Sequence, residues 1–428
     1  MLRTIFVLII IIAGSAFAAM GPFEGLLFYM WNAYFRPDYW TYGSFIMSLN
    51  LSLFIGIYVV VRTLMSGPDL KLGVGTMLIW LFFIQACIGT LTSTNPSLSR
   101  SALDVFARVI VISYAIVVLV TDRKRLRLIL LVMSLSLGFD LAKQGWADLW
   151  RSPGRSNANP VAFLGDNNGV AMGLLMLFPL TNALAQTSAR LWEKVLHRFF
   201  AIGVLLRAIS TYSRGGFLGA GALIVITILR SEKKIRAILG MALLLWGVSR
   251  IMPQEFWDRM DTIQVEEGEA RDESSAGRLH FWAVAIDMAN ANPFTGVGLG
   301  AFSTAYSFYN YSDLFPGERA AHSNWFGVLG ELGYVGLILL MANVMFAFWS
   351  CWRVHRISRR YKEMRDLRIY ANAIISGLAV FCVSGTFLAS QTNELAWHLI
   401  ALSTALLFIA KSEARAADAA KLPQAQVA

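Results

Sequence analysis

From Val109 to Leu141 the chain reads VIVISYAIVVLVTDRKRLRLILLVMSLSLGFDL: an apolar run, a basic break, and a second apolar run. Runs of about 18 or more apolar residues are the signature of membrane-spanning helices, and the same alternation recurs along the whole chain. Of 428 residues, 56 % are hydrophobic and 15 % charged, against about 45–50 % apolar and about 25 % charged in an average soluble domain. That balance excludes a soluble enzyme with one anchor, a disordered protein and a disulfide-stapled secreted domain. The formal net charge is +10, but the basic residues concentrate in short loops between apolar runs. Such loops fit cytoplasmic retention of Lys and Arg better than a nucleic-acid surface. Cys87, Cys351 and Cys382 show no metal-binding or disulfide spacing. The expected fold is an all-α integral membrane protein.

Apolar runs and charged breaks predict about twelve spans, near 4–20, 44–61, 73–92, 103–120, 127–142, 161–186, 199–211, 216–229, 237–251, 323–349, 370–390 and 395–410. With the N-terminus inside, the inner loops hold Arg123, Lys124, Arg125 and Arg127, then Arg190, Lys194 and Arg198, then Arg230, Lys233, Lys234 and Arg236. The richest, 353–368, carries seven Lys or Arg residues. The opposite loops are longer yet poorer in these residues, so the positive-inside rule places both termini in the cytoplasm. Arg3, an apolar run and Ala16-Phe17-Ala18-Ala19 also fit a secretory signal peptide, but a many-span protein is expected to retain its first span.

The expected division is 1–251 as spans one to nine, 252–322 as a large extracytoplasmic loop with short helices, 323–410 as spans ten to twelve, and 411–428 as a short disordered cytoplasmic tail. The loop is polar, and its aromatic content argues for order and function. Residues 279–290 have a helical apolar period that Asn292-Pro293 should end.

Charges within a bilayer are expensive and mark candidate sites. Arg207 and Arg214 are seven residues apart, two helical turns, so both are expected on one face toward the outer leaflet. Arg278 and Arg319 enter from the large loop. Converging guanidinium groups suit a lipid-borne phosphate or pyrophosphate. Arg108 has a simpler reading, as the i, i+4 partner of Asp104.

His322, in Ala321-His322-Ser323-Asn324-Trp325, stands at the outer start of the tenth span. Ser323 or Asn324 can cap that helix, and the helix dipole would keep the imidazole neutral, fit to accept a proton from a sugar hydroxyl. His280 is the rival base. Asp166, Asn167, Asn168 and Asn324 are candidate glycan or acceptor contacts, with bonding between helices as the alternative for the Asp166–Asn168 run. Glu331 should be out of phase with His322 and structural. Gly296-Val297-Gly298-Leu299-Gly300 makes a weak nucleotide loop; a tight turn offering N–H groups to a phosphate is the better account.

At these residues the sequence resembles the bacterial O-antigen ligase family, whose relatives include O-antigen polymerases and exosortase-associated ligases. Arg214 with Leu218 gives an Arg-x3-Leu element, and His322 with Gly330 a His-x7-Gly element. Arg278 lies in Gly-Arg-x3-Trp, followed by Asn-Pro-Phe-Thr-Gly-x-Gly-x-Gly-x-Phe. Asp166-Asn167-Asn168 is similar to the exosortase-associated branch. The resemblance implies a glycosyltransferase C-like fold in the bacterial inner membrane. It also implies transfer of a glycan from undecaprenyl pyrophosphate to lipid A–core at the periplasmic face, with no metal, cofactor or nucleic acid. His322 would then be the base, with Arg214, Arg278, Arg207 and Arg319 as phosphate ligands. A polymerase, a protein O-glycan ligase and a lipid-linked glycan transporter are the alternatives.

Overall fold

The computed structural model of the chain describes residues 2–41, 46, 49–67, 71–153, 155–156, 161, 164–231, 233–261, 273–313 and 315–425. Among these residues there are α-helices and short 3-10 turns, with an isolated Val161–Gly165 bridge as the only β pairing. The first helices are α1 (Leu2–Ala18), α2 (Pro22–Phe35), α3 (Leu51–Met65), α4 (Val74–Leu91), α5 (Pro96–Leu119) and α6 (Arg123–Arg151). Then come α7 (Asn167–Thr187), α8 (Leu191–Ile209), α9 (Arg214–Arg230), α10 (Lys234–Ile251) and α11 (Gln254–Asp261). The chain closes with α12 (Glu273–Ala291), α13 (Phe302–Tyr309), α14 (Asn324–Ser358), α15 (Arg365–Ser384) and α16 (Glu394–Ala425).

Each of the twelve expected spans overlaps one of these helices, though parts of 44–61 and 161–186 lie outside the described residues. Among the described residues, six segments are long and apolar enough to cross a membrane: α4, α5, α7, α14, α15 with its flanking turns, and α16. Helices α7 and α16 form the centre, with 83 % of their apolar windows buried inside the protein. Small residues let other helices approach closely. Gly145 of α6 lies against the backbone of Gly203 in α8, where an added methyl group would meet the Gly203 carbonyl.

One buried helix was not expected. Pro22 opens α2, and Arg36, in the left-handed region (φ 51°), closes it. Its 14 residues include Glu24, Gly25 and Asn32, which mask it from a search for long apolar runs. Its presence reverses α1. Arg3 lines a cavity with Arg36, Asp140 and Arg207, while the Arg125 guanidinium lies 4.9 Å over the Phe23 ring at the other end of the bundle. The expectation that both termini share one side is therefore corrected: Arg3 lies at the end of the bundle opposite Asp418.

The expected disordered tail from 411 is also corrected. Helix α16 runs through Ala425, and two polar contacts pin its extension. Arg123 pairs with Glu413 and with Asp366, and the Tyr361 hydroxyl donates to Asp418 at 2.6 Å.

Helix α14 is two helices joined at Gly333 (φ 67°, ψ −169°), a conformation open essentially to glycine alone. The break frees carbonyls inside an apolar bundle, where an unmet polar group is costly. The glycine loop meets them: Val297 N–H donates to Gly330 O and Gly298 N–H to Glu331 O, both at 2.9 Å. Gln85 Nε2 donates to Leu332 O at 3.0 Å. The Glu331 carboxylate takes Gln391 Nε2 at 3.0 Å and lies within reach of the Gly300 and Phe302 amides, a structural role as expected. The phosphate reading of the 296–300 loop is thus corrected, since the Val297 and Gly298 amides are committed to the broken helix.

Candidate functional site

The first wall of the site comes from α12 and the start of α14. Ser323 caps α14, accepting from Phe326 N–H at 3.4 Å, and so places His322 one residue before that cap. His322 sits in the left-handed region (φ 46°), uncommon for a non-glycine residue although histidine is among those enriched there. Trp282 supplies one restraint. Its Nε1 donates to the Ala321 carbonyl at 3.1 Å, and its indole stacks on Phe326 at 4.8 Å. His322 is exposed, and its ring is tilted against Phe281 at 6.2 Å. Arg278, one helical turn before Trp282, extends its guanidinium to 6.0 Å from the Phe387 ring.

The second wall is the turn between α8 and α9. Ser213 caps α9, accepting from Gly216 N–H at 3.0 Å and donating to Asn168 Oδ1 at 2.7 Å. Asn167 Nδ2 donates to Thr211 O at 3.2 Å, and Asp166 caps α7 by accepting from Gly169 N–H at 2.9 Å. The Asp166–Asn168 run therefore holds the turn that presents Arg214. Ser384 Oγ donates to Gly215 O at 3.0 Å, which sets that turn beside the Gly385–Phe387 turn and hence beside Arg278. Phe387 is the element that sequence reading missed; it lies in an apolar run with no polar signal.

Electrostatics tie the walls together. The pKa of His322 is lowered, first by desolvation and then by Arg278, with Asp166 acting in the opposite sense. The shift favours the neutral ring, which lies within the field of a cation from α12 and a carboxylate from the α7 cap.

Other candidates stand elsewhere. Arg207 is corrected on two counts. Helix α8 ends at Ile209 and Tyr212 turns the chain (φ 51°) before α9 begins, so Arg207 and Arg214 share no helical face. Arg207 is also wholly buried, with Asp148 of α6 at 3.8 Å, in a cavity beside Asp140. Asn324 is corrected too. It is fully buried, and its Oδ1 accepts from Ser390 N–H at 2.6 Å, so it braces the loop after α15 rather than facing a ligand. Arg319 is exposed on the loop near Tyr306. His280 hydrogen-bonds Asn310 at 2.9 Å among Phe281, Tyr306 and Phe315, a packing role. Arg108 pairs with Asp104 on its own helix. Among the described residues, no group of three His, Cys, Asp or Glu side chains is arranged to hold a metal.

Comparison with protein families gives two matches. Residues 2–176 match a family of unknown function, DUF5935, which takes in Asp166–Asn168. No curated protein matches the chain. Residues 199–341, which carry Arg214, Arg278 and His322, match the model of the O-antigen ligase family.

Proposed function

We propose that the protein is a lipid-linked glycan ligase, transferring a glycan from undecaprenyl pyrophosphate to lipid A–core at the periplasmic face of the bacterial inner membrane. The observation that carries this reading is the gathering of His322, Arg278 and the Arg214 turn at one mouth, with Asn167 and Asn168 bonded to that turn and Ser384 setting it beside the Gly385–Phe387 turn. The loops of the opposite end carry the runs of Lys and Arg, and the positive-inside rule makes that end cytoplasmic.

The donor sugar is bonded to a pyrophosphate oxygen, and pyrophosphate is a competent leaving group once its charge is met. His322 accepts the proton of the acceptor hydroxyl as that oxygen attacks the anomeric carbon. The anomeric C–O bond breaks, and Arg214 and Arg278 stabilise the charge that collects on the departing phosphate. Arg319 adds positive potential at the entrance. Attack opposite the leaving group inverts the anomeric centre. A lipid-borne donor also fits a crevice of about 560 Å³ among α7, α8, α9, α10 and α15. It starts at Ile209 and Phe217, close to Arg214, and descends along mostly apolar walls to Thr227 and Arg230.

The test is transfer by purified protein supplied with lipid-linked glycan and, separately, lipid A–core, a second lipid-linked glycan, or an acceptor protein. Product on lipid A–core alone supports the ligase. Product on another acceptor reassigns it within the superfamily, and no product with any acceptor overturns the reading.

A further inference from the structure

A second cavity, of about 480 Å³, opens at the same end of the bundle as His322 and is used by none of the chemistry above. Its volume is within the usual range for small-molecule sites, about 300–1,000 Å³. The wall is contributed by the N-terminal hairpin, the 3-10 turn Pro37–Trp40, α6 and the end of α8. Two kinds of group meet there. Phe35 and Trp40 stack at 5.2 Å and 13°, and Tyr39 lies beside them under the Arg36 guanidinium at 5.0 Å. Facing them are Asp140, Lys143, Gln144 and Arg207.

Apart from the exposed Arg3, which also lines the cavity, its charges are compensated inside the protein. Arg36 forks onto Asp38 at 2.9 and 3.1 Å, Lys143 lies 3.4 Å from Asp140, and Arg207 lies 3.8 Å from Asp148. A diphosphate gains little from cations already neutralised. A polyhydroxylated ring gains more: its hydroxyls both donate and accept, matching a carboxylate, an amide and an ammonium, and its C–H faces pack on aromatic rings. The position fits as well. Val161 lines the cavity and pairs with Gly165, N–H to O at 2.9 Å, and the next residue is Asp166. Arg207 stands at the end of α8 that leads into the Arg214 turn. The cavity and the reaction centre thus share two stretches of chain.

We infer that this aromatic and charge-compensated cavity, walled by Tyr39, Trp40, Asp140 and Gln144, is a saccharide-binding subsite that holds a sugar unit beyond the one undergoing transfer. The inference rests on the glycan-transfer reading, and its sugar belongs either to the donor or to the acceptor.

The experiment uses the full chain in lipid nanodiscs and, as probe, the free oligosaccharide released by mild acid from the producing cell's lipid-linked glycan. Binding is read by saturation-transfer NMR, and transfer by KM for donor and for acceptor. Tyr39→Ala, an exposed position, and the near-isosteric Asp140→Asn should each weaken probe binding about tenfold, while His322→Ala binds as wild type does. A raised KM for donor assigns the sugar to the donor, and a raised KM for acceptor assigns it to the acceptor. Unchanged binding and unchanged KM in both cavity variants, with transfer intact, overturn the subsite and leave the ligase reading standing. Probe binding that depends on Tyr39 and Asp140, in a protein that transfers to no acceptor, keeps the subsite and removes the ligase reading.

Discussion

At the scale of single residues, His322 combines an unusual backbone conformation with a lowered pKa, and the two have one origin. Ser323, Trp282 and Phe281 fix the ring where Arg278 opposes its protonation. If the neutral ring is the base, transfer falls as pH drops through a value below the ordinary imidazole pKa of about 6.5. Arg278→Lys would keep the positive charge, so Arg278→Gln is the sharper variant: its residual activity should lose its acid limb at higher pH than wild type. Asp166→Asn removes the opposing influence and should move the limb to lower pH. A pH–rate profile of each variant checks both directions, and equal or reversed shifts would dissociate the three groups. His322→Ala should lower the rate by about 10²–10⁴. Arg214→Ala should lower it by about 10²–10³, with membrane insertion unchanged on fractionation.

The elements matter because two of them exist to hold turns. The broken α14 and the 296–300 loop satisfy each other's backbone groups. Gly333→Ala forces a side chain into a glycine-only conformation, at a cost of about 1–3 kcal/mol, and against the carbonyl of Pro293. Its melting temperature in detergent should fall measurably, whereas Gly221→Ala, at a helical glycine with open space around it, should not lower it. Ser213 does two jobs, capping α9 and bonding Asn168. Loss of the cap in Ser213→Ala costs about 1 kcal/mol of stability, but Arg214 is displaced as well. Donor KM should therefore rise while the protein remains folded by size-exclusion chromatography.

Across the whole molecule, α2 changes how the ends of the chain are disposed. A cysteine placed at Arg3 should react with a membrane-impermeant thiol reagent from the same side as one at Tyr311, on the exposed outer loop. A cysteine at Lys411 should be protected until the inner face is opened. Labelling of positions 3 and 411 from one side would restore the twelve-span arrangement.

Composition and the rhythm of apolar runs sufficed for the membrane class and for the positions of helical segments. Those are local signals: a lipid-facing or core-facing helix must be apolar over its length, and a histidine at its mouth stands out against that background. The sequence could not separate Arg207 from Arg214, because the turn at Tyr212 and the carboxylate of Asp148 on a different helix become visible only when helices pack. Helix α2 escaped because it is only 14 residues long and carries Glu24 and Asn32 within its apolar stretch. The use of the 296–300 amides, the burial of Asn324, and the bonding of Asn168 to Ser213 depend likewise on contacts between segments far apart in the chain. Which groups share a space was decided by packing alone.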